Sequence, residues 1–296
     1  MLAKLEYLIA LAAEQNFGRA ATRCGVAQPS FSAGIRALED QLGVPLVLRS
    51  SRFQGFTPEG EMVLDWARRI TGDAQAMRDS VRNVRRGLSG LLRIAAVPTA
   101  LAAVHRLTIP YGERHPLVRF SIISATSAEV LSRLQNNEAD AGITYLDNEP
   151  IGRGRAVPLY EERYRLLTAA GGPLAGRRQV RWAELGTVRL CLLTPDMQNR
   201  RIIDGVLRQN GVNAAPALQS NSLVVLVTHV KTGRFASVMP AMLADLFAAT
   251  WDLRAVPLVE PDEVHRVALV VPDRDPLSPM VEALVQQAQL TAREVL

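Results

Sequence analysis

Gln28, Ser32 and Arg36 recur every four residues, and all three side chains can read the edge of a base pair. A Gln amide meets adenine with two hydrogen bonds, and an Arg guanidinium does the same with guanine or holds a phosphate. Ser suits either a base edge or a phosphate oxygen. Helical spacing would gather the three into one stripe. Phe31, Ile35, Leu38 and Leu42, spaced four, three and four, form a second, apolar stripe that is predicted to be buried. Pro29 suits the start of that helix, where its missing N–H is not needed. Upstream, Gly18-Arg19-Ala20-Ala21-Thr22-Arg23-Cys24 reads as a shorter helix closed by Gly25. Two short helices joined through a Gly turn, the second carrying polar groups from its N-terminus onward, describe a helix-turn-helix DNA reader. An ordinary amphipathic surface helix has the same periodicity, so the stripe alone leaves both readings open.

Phe17-Gly18-Arg19-Ala20-Ala21, Gln28-Pro29-Ser30-Phe31-Ser32, Ile35-Arg36-Ala37-Leu38-Glu39, Leu42-Gly43-Val44-Pro45-Leu46, Arg49 and Thr57-Pro58-Glu59-Gly60 follow one another in the order found in the LysR-type transcriptional regulators, and the chain resembles that family throughout its length. The resemblance implies a mainly α, winged helix-turn-helix N-terminal domain, a long linker helix and a two-lobed α/β effector domain like the periplasmic binding proteins. It implies DNA contacts from Gln28, Pro29, Ser30, Ser32 and Arg36, with Arg49 and Arg52 of the wing on phosphate or in the minor groove. It further implies a dimer of dimers (a homotetramer) on an interrupted palindrome near a divergent promoter, and admits RNA polymerase as a further partner. Two residues depart from the family pattern. Ala27 stands where a capping Ser or Thr is frequent, and Ala33 where the family often has Arg.

The 296 residues suffice for two domains, and a 48% hydrophobic fraction is that of a globular protein. Net charge is only +5, yet residues 17–57 hold five Arg against Glu39 and Asp40. Nearly all positive charge is Arg, since Lys4 and Lys231 are the only lysines. Cys24 and Cys191 fall in different expected domains, which argues against a disulfide framework and for a reducing compartment. Glu6 interrupts the place where a signal peptide's apolar core would begin, and no apolar run reaches the ~18 residues of a membrane span. The expected location is the cytoplasm, with no membrane partner.

Residues 2–15 read as a first helix and residues 49–56 as a wing, so that 1–57 form the DNA-binding domain. Thr57-Pro58-Glu59 opens the next helix with a capping hydroxyl, a Pro and an acid. Its apolar positions Val63, Ala67, Ile70, Ala74, Met77, Val81, Val84 and Leu88 alternate by four and three, with Trp66 at their flank. Such a seam over 58–88 calls for a partner helix, so this linker is expected to form a homodimer. From Leu91 the pattern alternates strands with helices, in the order of a parallel, doubly wound sheet. The expected effector domain, 91–296, divides into lobe I (91–161 and 268–296) and lobe II (162–267).

Ligands of such sheets collect at strand ends facing helix N-termini. Pro98-Thr99-Ala100, Thr126-Ser127, Thr194 to Arg200 and Asn221-Ser222 stand at such places. Thr99, Ala100, Thr126, Ser127, Thr194, Met197, Arg200, Asn221 and Ser222 are therefore the candidate effector contacts, with Arg201 an alternative to Arg200. Hydroxyls, amides, helix dipoles and an Arg suit a small anion, above all a carboxylate. The stretches 194–204 and 145–150 resemble regulators that accompany formate dehydrogenase genes, which adds formate as a candidate.

Three other functions carry sequence requirements of their own. An exported solute-binding protein would leave residues 1–88 without a purpose. An enzyme would need a catalytic motif, and Gly-x-Ser-x-Gly, His-Glu-x-x-His, Cys-x-x-Cys and Walker loops are absent. The four His are scattered, so neither a metal nor a cofactor is expected. A thiol redox regulator would need a reactive pair, and Cys191 stands in an apolar strand, where a thiol is normally inert. The sequence leaves activation and repression both open.

Overall fold

The computed structural model describes residues 1–49, 53–147, 150–152, 154–213 and 215–295. Three helices open the chain, α1 (Leu2–Glu14), α2 (Phe17–Arg23) and α3 (Gln28–Leu42). A short antiparallel pair follows, β1 (Val47–Arg49) and β2 (Phe53–Phe56). Phe31, Ile35 and Leu38 are fully buried with Leu8, Leu11 and Leu46, so the apolar stripe forms this domain's core. Leu42, expected to extend that stripe, is 41% exposed. It lies at the last helical position before Gly43 takes the left-handed conformation and ends α3.

Helix α4 (Pro58–Arg86) has 29 residues, which makes it about 43 Å long. The Thr57 hydroxyl accepts from the Gly60 N–H at 2.9 Å, the expected cap. The helix does not stand clear of its own chain, as the seam suggested. Leu64 and Ala67 complete the core of the DNA-binding domain, and Gly72 and Asp79 are buried farther along. A second face stays open: Met62, Trp66, Ile70, Met77 and Val81 are all exposed.

Lobe I begins with β3 (Ser89–Ala96), a 3-10 turn over Pro98–Ala103, α5 (His105–Arg114) and β4 (Leu117–Ser124). It continues with α6 (Ser127–Gln135), β5 (Ala141–Tyr145) and β6 (Gly154–Glu162). The chain crosses at Arg163 into lobe II: β7 (Tyr164–Ala169), β8 (Val180–Arg181), β9 (Cys191–Leu192), α7 (Gln198–Gln209), β10 (Leu218–Gln219), α8 (Leu223–Lys231), β11 (Ser237–Pro240), α9 (Ala241–Trp251) and β12 (Leu253–Val259). It returns through β13 (His265–Pro272) and closes with α10 (Pro279–Val295). His265 pairs with Glu162, so β13 belongs whole to lobe I and the return crossing precedes residue 265.

Neither sheet is the purely parallel one expected. Lobe I has the order β4-β3-β5-β13-β6, in which β13 runs against both β5 and β6 because it enters from the other lobe. The larger sheet of lobe II has the order β11-β7-β12-β8, with β7 antiparallel to both neighbours, while β10 and β9 form a separate parallel pair. Pro158 is accommodated within β6 because β6 is an edge strand, where a proline costs no ladder bond. Among the described residues no helix is long and apolar enough to cross a membrane.

Candidate nucleic-acid interface and effector cleft

The stripe of α3 faces outward. Gln28, Pro29, Ser30 and Arg36 are exposed and Ser32 is half-buried, while the opposite stripe is sealed against α1 and α2. The Tyr7 ring stacks on Phe31 with centroids 4.9 Å apart. That approach requires Gly34, where a Cβ would meet the Tyr7 ring at 2.7 Å. Asn16 caps α2 by accepting from the Arg19 N–H at 3.0 Å, whereas Ala27 gives α3 no side-chain cap. Glu39, whose role the sequence did not announce, ties the wing to α3: its Oε1 accepts from the N–H groups of Leu46 and Val47 at 2.9 and 3.2 Å. Arg49 ends β1, and Arg52 lies outside the described residues.

The polar groups of the effector domain behave in the opposite way. Thr99 is 1% exposed, and its hydroxyl lies 2.8 Å from the Tyr145 hydroxyl. Tyr145 donates to Glu162 Oε1 at 2.5 Å and accepts from Asn199 Nδ2 at 3.1 Å. Two further bonds cross between the lobes through Gln198, which accepts from the Thr144 hydroxyl at 3.3 Å and donates to the Asp147 carbonyl at 2.8 Å. Arg201 crosses as well, donating to the Ser127 hydroxyl at 3.1 Å. The first turn of α7 therefore plugs the space between lobes with its own amides. Beneath this plug sits Glu162, whose second oxygen has no hydrogen-bond partner among the described residues, as is true of the Tyr164 hydroxyl. Burial pushes the Glu162 carboxyl up to about 8, against the opposing effect of the Tyr145 hydroxyl. The same burial, with Glu162 beside it, holds the Tyr145 phenol well above its ordinary range.

The other sequence candidates divide. Ala100 and Met197 are buried beside this network in sequence, and Thr126 caps α6 in a capping box with Glu129. Thr194 is half-buried, with a hydroxyl that has no hydrogen-bond partner among the described residues. Arg200 turns inward, donating to Asp204 and to the Leu193 carbonyl, both at 2.7 Å, so Arg201 is the arginine that reaches the other lobe. Asn221 is exposed and Ser222 half-buried, and among the described residues neither side chain bonds to the network. Tyr145, Glu162, Tyr164, Gln198 and Asn199 were not among the expected contacts. Asn148 and Glu149, part of the formate-type stretch, lie outside the described residues. Among the described residues no group of three His, Cys, Asp or Glu is placed to hold a metal ion.

This architecture agrees with what the whole chain matches. Residues 2–61 match the bacterial regulatory helix-turn-helix proteins of the lysR family, and residues 85–292 match the LysR substrate binding domain. The chain belongs to the LysR family. Members of this family are DNA-binding transcriptional regulators, not enzymes. A LysR relative, the hydrogen peroxide-inducible genes activator of Dickeya chrysanthemi, is 28% identical over 286 residues, 96% of this chain and 93% of that one. The DNA-binding transcriptional dual regulator OxyR of Escherichia coli (strain K12) is 29% identical over 283 residues, 95% of this chain and 92% of its own. A full-length OxyR variant from Pseudomonas aeruginosa superposes with a TM-score of 0.73 at 27% identity, covering 99% of each chain. CbnR complexed with its target DNA shares the fold, with a TM-score of 0.61 at 22% identity. None of these relatives lends support to the formate expectation.

Proposed function

We propose that this LysR regulator reads duplex DNA in the cytoplasm through Gln28, Ser32 and Arg36, pairs with a second copy along α4, and responds to a small polar effector taken between its lobes. The observation that carries the reading is the two-sided character of α3, with Phe31, Ile35 and Leu38 at zero exposure and the base-reading groups turned out. Pairing is supported by the exposed row Trp66, Ile70, Met77 and Val81, spaced four, seven and four. A dimer also doubles the number of base contacts, which one recognition helix alone keeps small. A small anion such as a carboxylate is the effector class supported by Arg201 beside Ser127, at the start of α6.

The names of the relatives favour a second reading, a response to hydrogen peroxide. The thiols of this chain oppose its thiol-based form. Cys191 is fully buried in β9, and burial pushes its thiol up to about 12. Cys24 is half-buried in the DNA-binding domain, and burial raises its thiol too. Selecting duplexes from a random-sequence pool with the purified protein tests the DNA reading; retention without sequence enrichment rules it out. A thermal-shift series of small carboxylates against their neutral amides tests the effector class, because a ligand of the folded state raises the midpoint. Peptide mapping of Cys24 and Cys191 after peroxide treatment decides the thiol reading, for which a disulfide or an oxygen added at one of these sulfurs is required. The expected result is that both thiols stay unmodified, whatever happens at the exposed Met62 and Met77.

A further inference from the structure

We infer that α6, with the turn that follows it over residues 136–140, is the lever that links the interlobe cleft to the DNA-binding domain within a single chain. The two ends of this helix touch the two regions at issue. At its N-terminus Ser127, 2% exposed, accepts the bond from Arg201 of lobe II. At its C-terminus every polar residue of the turn is tied to something outside α6. Asn136 accepts from Arg68 Nε of α4 at 3.1 Å. Asn137 donates from Nδ2 to the Arg68 carbonyl at 3.1 Å and to the Thr71 hydroxyl at 3.0 Å. Glu138 forms an ion pair with Arg23 of α2 at 2.6 Å. Asp140 takes Arg93 Nη2 at 2.7 Å and its N–H at 2.8 Å, anchoring the turn to β3.

The helix between these ends is short and firmly seated. Its nine residues span about 13 Å. Val130 and Leu134, at 0% and 5% exposure, pack into a cluster with Ala95, Ala125, Ala139 and Val270. A packed helix of this kind moves as a unit rather than bending. The docking end is also shaped for close approach. The Arg274 guanidinium bonds the Asn137 side chain and the Arg68 carbonyl, and it lies so near α4 that a Cβ on Gly72 would come within 1.9 Å of it. Lobe closure, which sets the Arg201–Ser127 contact, and the seating of α4 and α2 on residues 136–138 are thus two ends of one rigid element. Moving lobe II away from Ser127 releases α6, and the seat of the DNA-binding domain shifts with it. The coupling rests on the proposed role of the cleft, but its mechanical part stands apart from any effector.

The mechanical part is tested by amide hydrogen exchange on the full chain, comparing wild type with Arg201→Ala and with Ser127→Ala. Faster exchange in residues 68–79 of α4, on the far side of α6 from the substitution, is the expected result. Changes confined to residues 125–130 and 194–202 overturn the inference. The functional part is a double-mutant cycle between Arg201→Ala and Asn137→Gly, read as affinity for a duplex selected by the wild type. Glycine is chosen because Asn137 has φ +59°, which an alanine would strain. Thr71→Val repeats the cycle from the α4 side. Coupling predicts non-additivity of about 2- to 30-fold, and strictly additive effects overturn it. A wild type that selects no duplex refutes the regulator reading instead, while the exchange comparison still decides the lever.

Discussion

The DNA reader and the interlobe cleft use the same kinds of side chain in opposite ways. On α3 a Gln, a Ser and an Arg stand in or near solvent above a sealed apolar face, available to a partner. Between the lobes an amide pair and hydroxyls are buried, and together with the exposed Arg201 they are already bonded across the gap. On the roles proposed for them, polar groups that await a large ligand are left hydrated, whereas those between the lobes are satisfied internally until something replaces them. An unmatched buried polar group costs about 1–3 kcal/mol, so a closed cleft cannot leave many of them open.

Three changes would sharpen or break this contrast. The largest effect is expected from Phe31→Ala, which empties the centre of the DNA-binding core. Its cost of about 3–5 kcal/mol should appear in calorimetry as loss of the N-terminal transition, with the effector domain's transition preserved.

Glu162→Gln comes next. A carboxyl raised by burial stabilises the fold while protonated, so that contribution is intact at low pH and fades as pH climbs toward and past about 8. Wild-type stability should fall between about pH 5 and 8 by up to several kcal/mol, and the Gln variant should stay level. Equal slopes in denaturant titrations across that range would show that Glu162 is not neutral in the folded state. The smallest effect on the fold is expected from Arg36→Ala. Its exposed side chain should leave the melting temperature alone, yet cost about 1–3 kcal/mol of discrimination at one base pair, measured by anisotropy at fixed salt. A shifted melting temperature would mean that Arg36 belongs to the core rather than to the reading face.

The reader was legible in the sequence because its logic is local. Phe31, Ile35 and Leu38 announce their face through spacing alone, and Thr57 announces a helix start through the residues beside it. The layout of the two lobes was legible too, since alternating strands and helices carry their own periodicities. The direction of β13 was not, because a strand returning from another lobe looks the same whichever way it runs. Nor was the cleft network. Glu162 sits in the charged run Glu161-Glu162-Arg163, which carries no sign of burial, yet it pairs with β13 and is buried. Asn199 and Tyr145 are 54 positions apart, and nothing near either one signals the other. The same holds for Arg200 and Arg201, whose opposite directions follow from one step around α7 rather than from any difference in type.

The occupation of the gap by Gln198 and Asn199 has a thermodynamic consequence. Any molecule that enters there exchanges host–host hydrogen bonds for host–guest ones, so the heat released on association should be small even when the complex is specific. Its apparent dissociation constant is also multiplied by the scarcity of the unplugged conformer. A calorimetric titration should therefore report a modest enthalpy, and replacing Gln198 with a shorter residue should tighten the guest rather than loosen it.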